Sequence, residues 1–254
     1  LPKKIILKTI FLIKKMKNRI GYLIKRFFSK FKLIFWKGEY YTTDMALKRF
    51  GKRGTQINTI IDIGASNGMW SKMCMLFYPN AKYFLVEAQD IHEQHLKNFK
   101  SKNNNIEYVI SAAGDKQGNI YFNNDREFGG QASENPYEKG TSVPMNTIDY
   151  WVREYNLKPP FLIKLDTHGF EVPILEGATE TMTQTNLLII ETYNFNISDK
   201  ALTFYEMCSY MQKKGFRVIE IVDLLLRPKD KALWQMDTFF IPDTDKIFKN
   251  NSYE

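Results

Sequence analysis

The sequence predicts an α/β domain built on a mostly parallel, seven-stranded sheet with helices on both faces. Three observations predict it. Short apolar runs recur from residue 58 onward. Amphipathic spans of helical length separate them, and a glycine-containing turn follows the first run. Runs apolar at nearly every position suit strands buried on both faces, whereas half-exposed strands alternate.

The strands expected in order are Thr59–Ile63, Tyr83–Val86, Ile106–Ile110, Phe161–Leu165, Leu187–Ile190, Phe216–Ile221 and Thr238–Ile241. Helices are expected over about 68–78, 91–101, 147–156, 171–184 and 201–214. Strand and helix alternation of this kind builds parallel sheets through right-handed crossovers. Residues 112–146 interrupt the alternation as an irregular insertion containing Gly114, Gly118, Gly129, Gly130, Pro136, Gly140 and Pro144. A short hairpin is expected within it, at 119–123 and 141–145. Long insertions in compact domains commonly serve as binding elements or lids. The domain therefore spans 58–242, with a connecting segment at 38–57 and a tail at 243–254.

Residues 1–37 differ in kind. They hold twelve Lys/Arg and no acid, so the formal charge of +8 belongs to this segment and the rest is mildly acidic, 24 basic against 28 acidic residues. Ile6, Ile13, Ile20, Phe27 and Ile34 recur every seven residues, which predicts a basic amphipathic helix. Lys8, Lys14 and Lys15 break its apolar runs well short of the roughly 18–20 residues needed to cross a bilayer. The broken run and the lack of a small-residue cleavage site also argue against a secretory signal. Two readings follow. The helix lies on an anionic membrane surface, each cation adding about 1 kcal/mol there, or it packs on the domain or on a second copy in a homo-oligomer. A nucleic-acid partner is disfavoured, because the basicity is confined to this segment and lacks an aromatic-plus-basic motif. Cys74 and Cys208, with no CxxC spacing, fit small core residues in a reducing, cytoplasmic setting.

The first strand ends in Asp62-Ile63-Gly64-Ala65-Ser66-Asn67-Gly68. Small residues at such a turn admit a ligand close to the backbone, and the following helix start favours negative charge. Asp62 supplies the opposite sign, so the turn suits a ligand with both carboxylate and ammonium, such as the methionine moiety of S-adenosylmethionine. Glu87, with Ala88, ends the second strand about twenty residues on, where an acid accepts hydrogen bonds from the ribose hydroxyls of an adenosine. Ser111 and Ala112, with Ala113, Gly114 and Asp115, end the third and offer a small-residue bed for an adenine ring. A dinucleotide is disfavoured because Ser66 stands where G-x-G-x-x-G needs its second glycine. No GxxxxGK[ST] is present, which excludes a P-loop.

The fourth strand delivers Asp166, His168 and Glu171, and the fifth ends in Glu191-Thr192-Tyr193. Open α/β sheets place their ligands at these carboxyl ends. Methyl transfer to an alcohol requires removal of a hydroxyl proton, and His168 is the expected general base, with Asp166 and Glu191 as catalytic carboxylates. Asp166 is also a candidate cofactor ligand or helix cap. The same three side chains could hold a divalent metal, which is not the favoured reading. His92 and His95 are expected to be exposed. An N/D-P-P-Y/F element would signal amino methylation after the fourth strand; Lys158-Pro159-Pro160-Phe161 lies before it.

These residues resemble the FkbM family of methyltransferases over about 58–242. The resemblance rests on I-I-D-I-G-A-S-N-G (60–68), V-E-A (86–88), S-A-A-G-D (111–115), T-I-D (147–149) and I-K-L-D-T-H-G-F-E-V-P-I-L-E-G-A (163–178). It implies a class I methyltransferase, Rossmann-like fold, S-adenosylmethionine as donor, and O-methylation of sugar or polyketide hydroxyls. It carries over to Asp62, Gly64, Gly68, Glu87, Lys164, Asp166 and Glu171. His168 departs from it, standing where the common pattern has glutamate.

Overall fold

The computed structural model describes residues 41–123, 130–133, 136 and 140–253. The expected basic helix of residues 1–37 lies outside them.

In chain order the elements are α1 (Thr43–Lys52), β1 (Thr59–Ile63), α2 (Met69–Cys74), β2 (Lys82–Glu87), α3 (Glu93–Lys102), β3 (Ile106–Ile110), β4 (Ala112–Ala113), β5 (Gly118–Asn123), β6 (Gln131–Ser133) and β7 (Gly140–Asn146). They continue as α4 (Ile148–Glu154), β8 (Phe161–Leu165), α5 (Glu171–Glu176), α6 (Thr179–Met182), β9 (Thr185–Tyr193), α7 (Phe204–Lys213), β10 (Phe216–Leu226) and β11 (Leu233–Pro242). The seven expected strands form one sheet in the order β10-β11-β9-β8-β1-β2-β3. Pairing is parallel throughout except at β11, which runs antiparallel to both neighbours. This is a doubly wound sheet whose order reverses at β1, and the crevice at that reversal is where such sheets bind ligands.

Alternate side chains of each central strand enter different cores. Ile61, Ile63, Phe84 and Val86 face Trp151, Ile174, Leu175 and Met211, contributed by α4, α5 and α7. Ile60, Tyr83 and Leu85 face Leu47, Phe50, Cys74 and Leu96, from α1, α2 and α3. Burial on both faces is why these runs read as continuously apolar. Each large side chain so buried stabilises the fold by roughly 1.5–3 kcal/mol.

Three departures from the sequence reading have physical causes. First, the connecting segment 38–57 contains α1, which buries Ala46, Leu47 and Phe50 and is fixed to the far sheet edge by the Arg49–Glu220 ion pair and by Thr43 Oγ1 donating to Asp237 at 2.8 Å. Second, the helix expected over 171–184 is two helices broken at Gly177. Asp149 of α4 accepts from the backbone N–H groups of Glu180 (3.0 Å) and Thr181 (2.8 Å), so α6 starts afresh on a carboxylate cap. Gly177 admits the break: a Cβ there would stand 2.0 Å from the carbonyl oxygen of Gly114. Third, the insertion is more regular than expected. Its hairpin is present, with Tyr121 opposite Ser142. It belongs to a second, four-stranded sheet of order β4-β7-β5-β6. β4 and β6 are only two and three residues long, too short to show a period.

Candidate active site

The carboxyl ends of β1, β2, β3, β8 and β9 converge on a cavity of about 300 Å³, roofed by Phe122 and Ala132 of the second sheet and by Gly130 just before β6. That volume lies at the lower end of the range for small-molecule sites.

The wall on the β1–β2 side is backbone held by one acid. Gly64 takes φ +76 and its N–H donates to the Val86 carbonyl at 3.0 Å, turning the chain out of β1. The Glu87 carboxylate then accepts from the N–H of Ser66 at 2.6 Å and of Gln89 at 2.8 Å. Burial raises its pKa above the ordinary glutamate value, against the lowering effect of those two donors. A two-oxygen carboxylate keeps acceptor capacity beyond two such bonds. Small residues extend the wall at Ala88, Ser111 and Ala112, and Ser111 Oγ is anchored on the Pro144 carbonyl at 2.8 Å.

Asp62 is fully buried and does not line the cavity. Its Oδ2 accepts from Ser71 Oγ at 2.7 Å, and its Oδ1 lies 3.7 Å from Lys164 Nζ. Ala65, Asn67 and Gly68 complete the turn, also outside the cavity lining. Of the expected cofactor residues, Gly64, Glu87, Ala88, Ser111, Ala112 and Asp166 line it.

Several lining residues escaped the sequence reading. His92 was expected at the surface; it is 2% exposed, in a short 3-10 turn (Asp90–His92), with Nε2 3.5 Å from Ser66 Oγ. Its signal is weak in sequence, because a histidine opening a polar helix reads as solvated. His95, three residues on, is exposed as expected. Gln89 and Thr167 also line the cavity, each one or two residues past a strand acid that was recognised. That offset from a strand end was the available signal.

On the β8–β9 side the acids are arranged around one buried cation. Lys164 Nζ donates to Asp166 Oδ2 at 2.9 Å. Burial works against ionisation of Asp166, and the neighbouring Lys164 outweighs it, so its pKa falls below the ordinary aspartate value. His168 Nδ1 stands 3.5 Å from Asp166 Oδ1 and 3.8 Å from Glu191 Oε2. Burial lowers the imidazole pKa below its ordinary value. Glu191 is pushed up to about 8, by burial first and by the charge of Asp166 second. Its carboxyl group accepts from Tyr193 Oη and Gln235 Nε2.

The loop carrying His168 is held from both sides. His168 adopts φ +53 and Gly169 φ +102. Glu171, fully enclosed at the start of α5, accepts from the Gly169 N–H at 2.9 Å and from Thr167 Oγ1 at 3.1 Å. Gln131 of β6 donates to the His168 carbonyl at 3.2 Å. Glu171 thus fixes the loop and stands back from the cavity. The cluster thus sets an aspartate held below its ordinary pKa beside a glutamate held above its own, with an imidazole whose protonation burial disfavours. Among the described residues, Asp166, His168 and Glu191 also offer ligand atoms all within 4.8 Å of one another, the geometry of the metal alternative.

The methyltransferase FkbM domain model matches residues 62–218. No curated protein matches the chain by sequence. Among solved structures, similarity is found to methyltransferase FkbM from Methylobacillus flagellatus KT, at 16% identity, TM-score 0.47, over 72% of this chain and 43% of that one. This chain thus spans less than half of that protein's length. It is also similar to an SAM-dependent methyltransferase from Aquifex aeolicus (14% identity, TM-score 0.44, 83% and 92% coverage). A third is a putative tRNA (m1A22) methyltransferase from Streptococcus pneumoniae in complex with S-adenosyl-L-methionine (12% identity, TM-score 0.45, 79% and 73% coverage). The family match falls on the β1 turn, Glu87 and the Asp166 loop that build the cavity, and the chain belongs to the FkbM-domain family of S-adenosylmethionine-dependent methyltransferases.

Proposed function

We propose that the protein methylates a hydroxyl oxygen of a sugar, glycan or lipid-linked saccharide, at the cytoplasmic face of a membrane that residues 1–37 engage. The observation that carries the reaction is the His168 imidazole at the wall of the cavity, its Nδ1 3.5 Å from Asp166 Oδ1 and its protonation disfavoured by burial. An oxygen nucleophile must lose a proton, and a base of this kind accelerates that step by roughly 10²–10⁴-fold.

The residues lining the cavity fit the donor. Glu87 has free acceptor capacity for ribose hydroxyls, and Ser111, Ala112 and Ala88 leave a flat, small-residue floor for an aromatic base. Gly64 brings the backbone to the ligand without a side chain. When bound, S-adenosylmethionine supplies an electrophilic methyl on a sulfonium sulfur. With the donor held there, His168 would take the proton of the acceptor hydroxyl as that oxygen is methylated. Nδ1–H directed at Asp166 fixes the tautomer with Nε2 as the basic nitrogen and stabilises the imidazolium that forms. Glu191, protonated, adds no second negative charge beside Asp166 and holds the loop end through Tyr193 and Gln235.

The test is methyl transfer from radiolabelled S-adenosylmethionine into a panel of sugars, glycolipids and RNA. Label in a saccharide hydroxyl, lost in His168→Ala, is the expected result. Label only in RNA, or on nitrogen, overturns the reading.

A further inference from the structure

The β10–β11 hairpin extends past the last residue of β9, at the same end of the sheet as the cavity. β11 pairs with β9 up to Gln235 opposite Tyr193, the Asn194 N–H still donates to the Trp234 carbonyl at 2.9 Å, and past this the two hairpin strands continue paired to Leu226 opposite Leu233. The turn is tightly closed. Arg227 N–H donates to the Ala232 carbonyl at 2.7 Å, Lys231 N–H to the Arg227 carbonyl at 2.8 Å, and the Arg227 guanidinium pairs with Asp230 at 2.6 Å.

On this projecting ribbon Leu224, Leu225 and Leu226 are 54%, 50% and 49% exposed. Three consecutive half-exposed leucines, spread over the register shifts between Val222 and Leu226, give the ribbon a continuous apolar surface. Such a surface with cations beside it matches the apolar interior and anionic headgroups of a lipid bilayer. At the tip Asp230 is engaged by Arg227, and Lys229 and Lys231 on either side of it are both exposed. The described chain begins beside the same spot: the Asp223 N–H donates to the Tyr41 carbonyl at 2.8 Å, and Tyr41 is exposed. In sequence, Tyr41 comes shortly after the segment with twelve Lys/Arg and no acid.

We infer that the β10–β11 hairpin is a lipid-contacting element that inserts Leu224–Leu226 into an anionic bilayer, with Lys229 and Lys231 at the headgroups and the cavity end of the sheet facing the surface. Apolar insertion and attraction of cations to anionic headgroups add in such interfacial contacts. The hairpin also reaches the reaction site. Trp234, just past the turn, packs edge-on against Tyr193 with ring centroids 6.0 Å apart, and Gln235 donates to Glu191. Seating the ribbon in lipid sets the catalytic cluster at headgroup height, where a lipid-linked saccharide presents its hydroxyls. The inference rests on the membrane location proposed above and extends it to a second, named contact.

The test is sedimentation of the full chain with vesicles of phosphatidylglycerol and phosphatidylcholine, for wild type and for the L224D/L226D variant. Thermal melting and calorimetric S-adenosylmethionine binding serve as folding controls. The expected result is wild-type sedimentation, and a partition coefficient at least about tenfold lower in the variant, with melting and cofactor binding unchanged. A fluorophore on Leu225→Cys should shift to the blue on anionic vesicles and stay unshifted without them. Unchanged sedimentation of the variant overturns the hairpin's role while leaving the contact of residues 1–37 standing. A wild type that never sediments overturns both. A variant that changes oligomeric state in solution but sediments normally shows that the leucines cover a second copy, and overturns the inference. Each result is read independently of cofactor binding, so failure of the methyltransferase reading is separately visible.

Discussion

Gly64 and Asp166 meet back to back: a Cβ on Gly64 would stand 2.1 Å from the Asp166 carbonyl oxygen. The turn that leaves β1 and the loop that leaves β8 are thus in backbone contact, reinforced by the Asp166 N–H donating to the Ile63 carbonyl at 3.1 Å. Gly64 also holds φ +76, a region that costs other residues free energy.

Gly64→Ala therefore combines backbone strain with a clash against main-chain atoms, which cannot rotate away. We expect it to destabilise the fold by at least about 2 kcal/mol, read as a lowered urea midpoint. We also expect S-adenosylmethionine binding to be lost even in the folded fraction. A midpoint within error of wild type would show that the two loops separate freely.

His168→Ala removes the base while leaving the Glu87 side of the cavity intact. Turnover on the identified acceptor should fall about 10²-fold or more, with the cofactor Kd changed less than about twofold. Because burial holds the imidazole pKa below 6.5, the wild-type rate should rise with pH through a value below 6.5 and then level off. The variant should lack that acidic limb. A variant rate within a few-fold of wild type discards His168 as the base.

Much of this arrangement was legible from the chain. The central strands are buried on both faces, so Thr59–Ile63 and Phe161–Leu165 could be placed residue for residue. Asp166, His168 and Glu191 were readable as one cluster because parallel strands deliver their carboxyl ends to one crevice. What stayed hidden depends on contacts between distant segments. The roof over the cavity uses strands of two and three residues, and His92 is buried by a turn whose own composition is polar. Asp62 sits at a strand end with the right charge, yet strand alternation turns its side chain toward Ser71 and Lys164 instead of the cavity. The T-I-D run carries no visible chemistry in sequence; in the fold Thr147 caps α4 and Asp149 caps α6.

The Glu191 carboxyl group predicts a pH signature in stability. Its folded pKa, about 8, lies above the ordinary glutamate value of 4.5, so between these values the folded protein binds a proton that the unfolded chain releases. Stability from this group is therefore fully present below about 4.5 and is lost as pH rises through 8, with a slope of at most about 1.4 kcal/mol per pH unit. Glu191→Gln keeps an acceptor for Gln235 and cannot ionise. It should flatten the fall in urea-derived stability across pH 5–8, with Asp237, raised to about 6, and the buried Asp62, Glu87 and Glu171, each raised by burial, left to supply the remainder of the slope. An unchanged slope would mean that Glu191 is ionised in the folded protein at neutral pH.

Glu87 separates binding from architecture, because its carboxylate has two jobs. It holds the turn through the Ser66 and Gln89 N–H groups, and it faces the cavity as the expected ribose acceptor. Glu87→Ala deletes both roles, whereas Glu87→Gln keeps one carbonyl acceptor and replaces the other oxygen with a donor. Calorimetric titration should show micromolar S-adenosylmethionine binding by wild type, weakened about tenfold or more in the alanine variant, or about 1.4 kcal/mol. The glutamine variant should fall between them, because an amide accepts one ribose hydroxyl and forces a donor against the other or against a backbone N–H. If the alanine variant loses thermal stability while its folded fraction binds the cofactor as tightly as wild type, Glu87 is a turn-holding residue alone, and the ribose contact must come from Gln89 or His92 beside it.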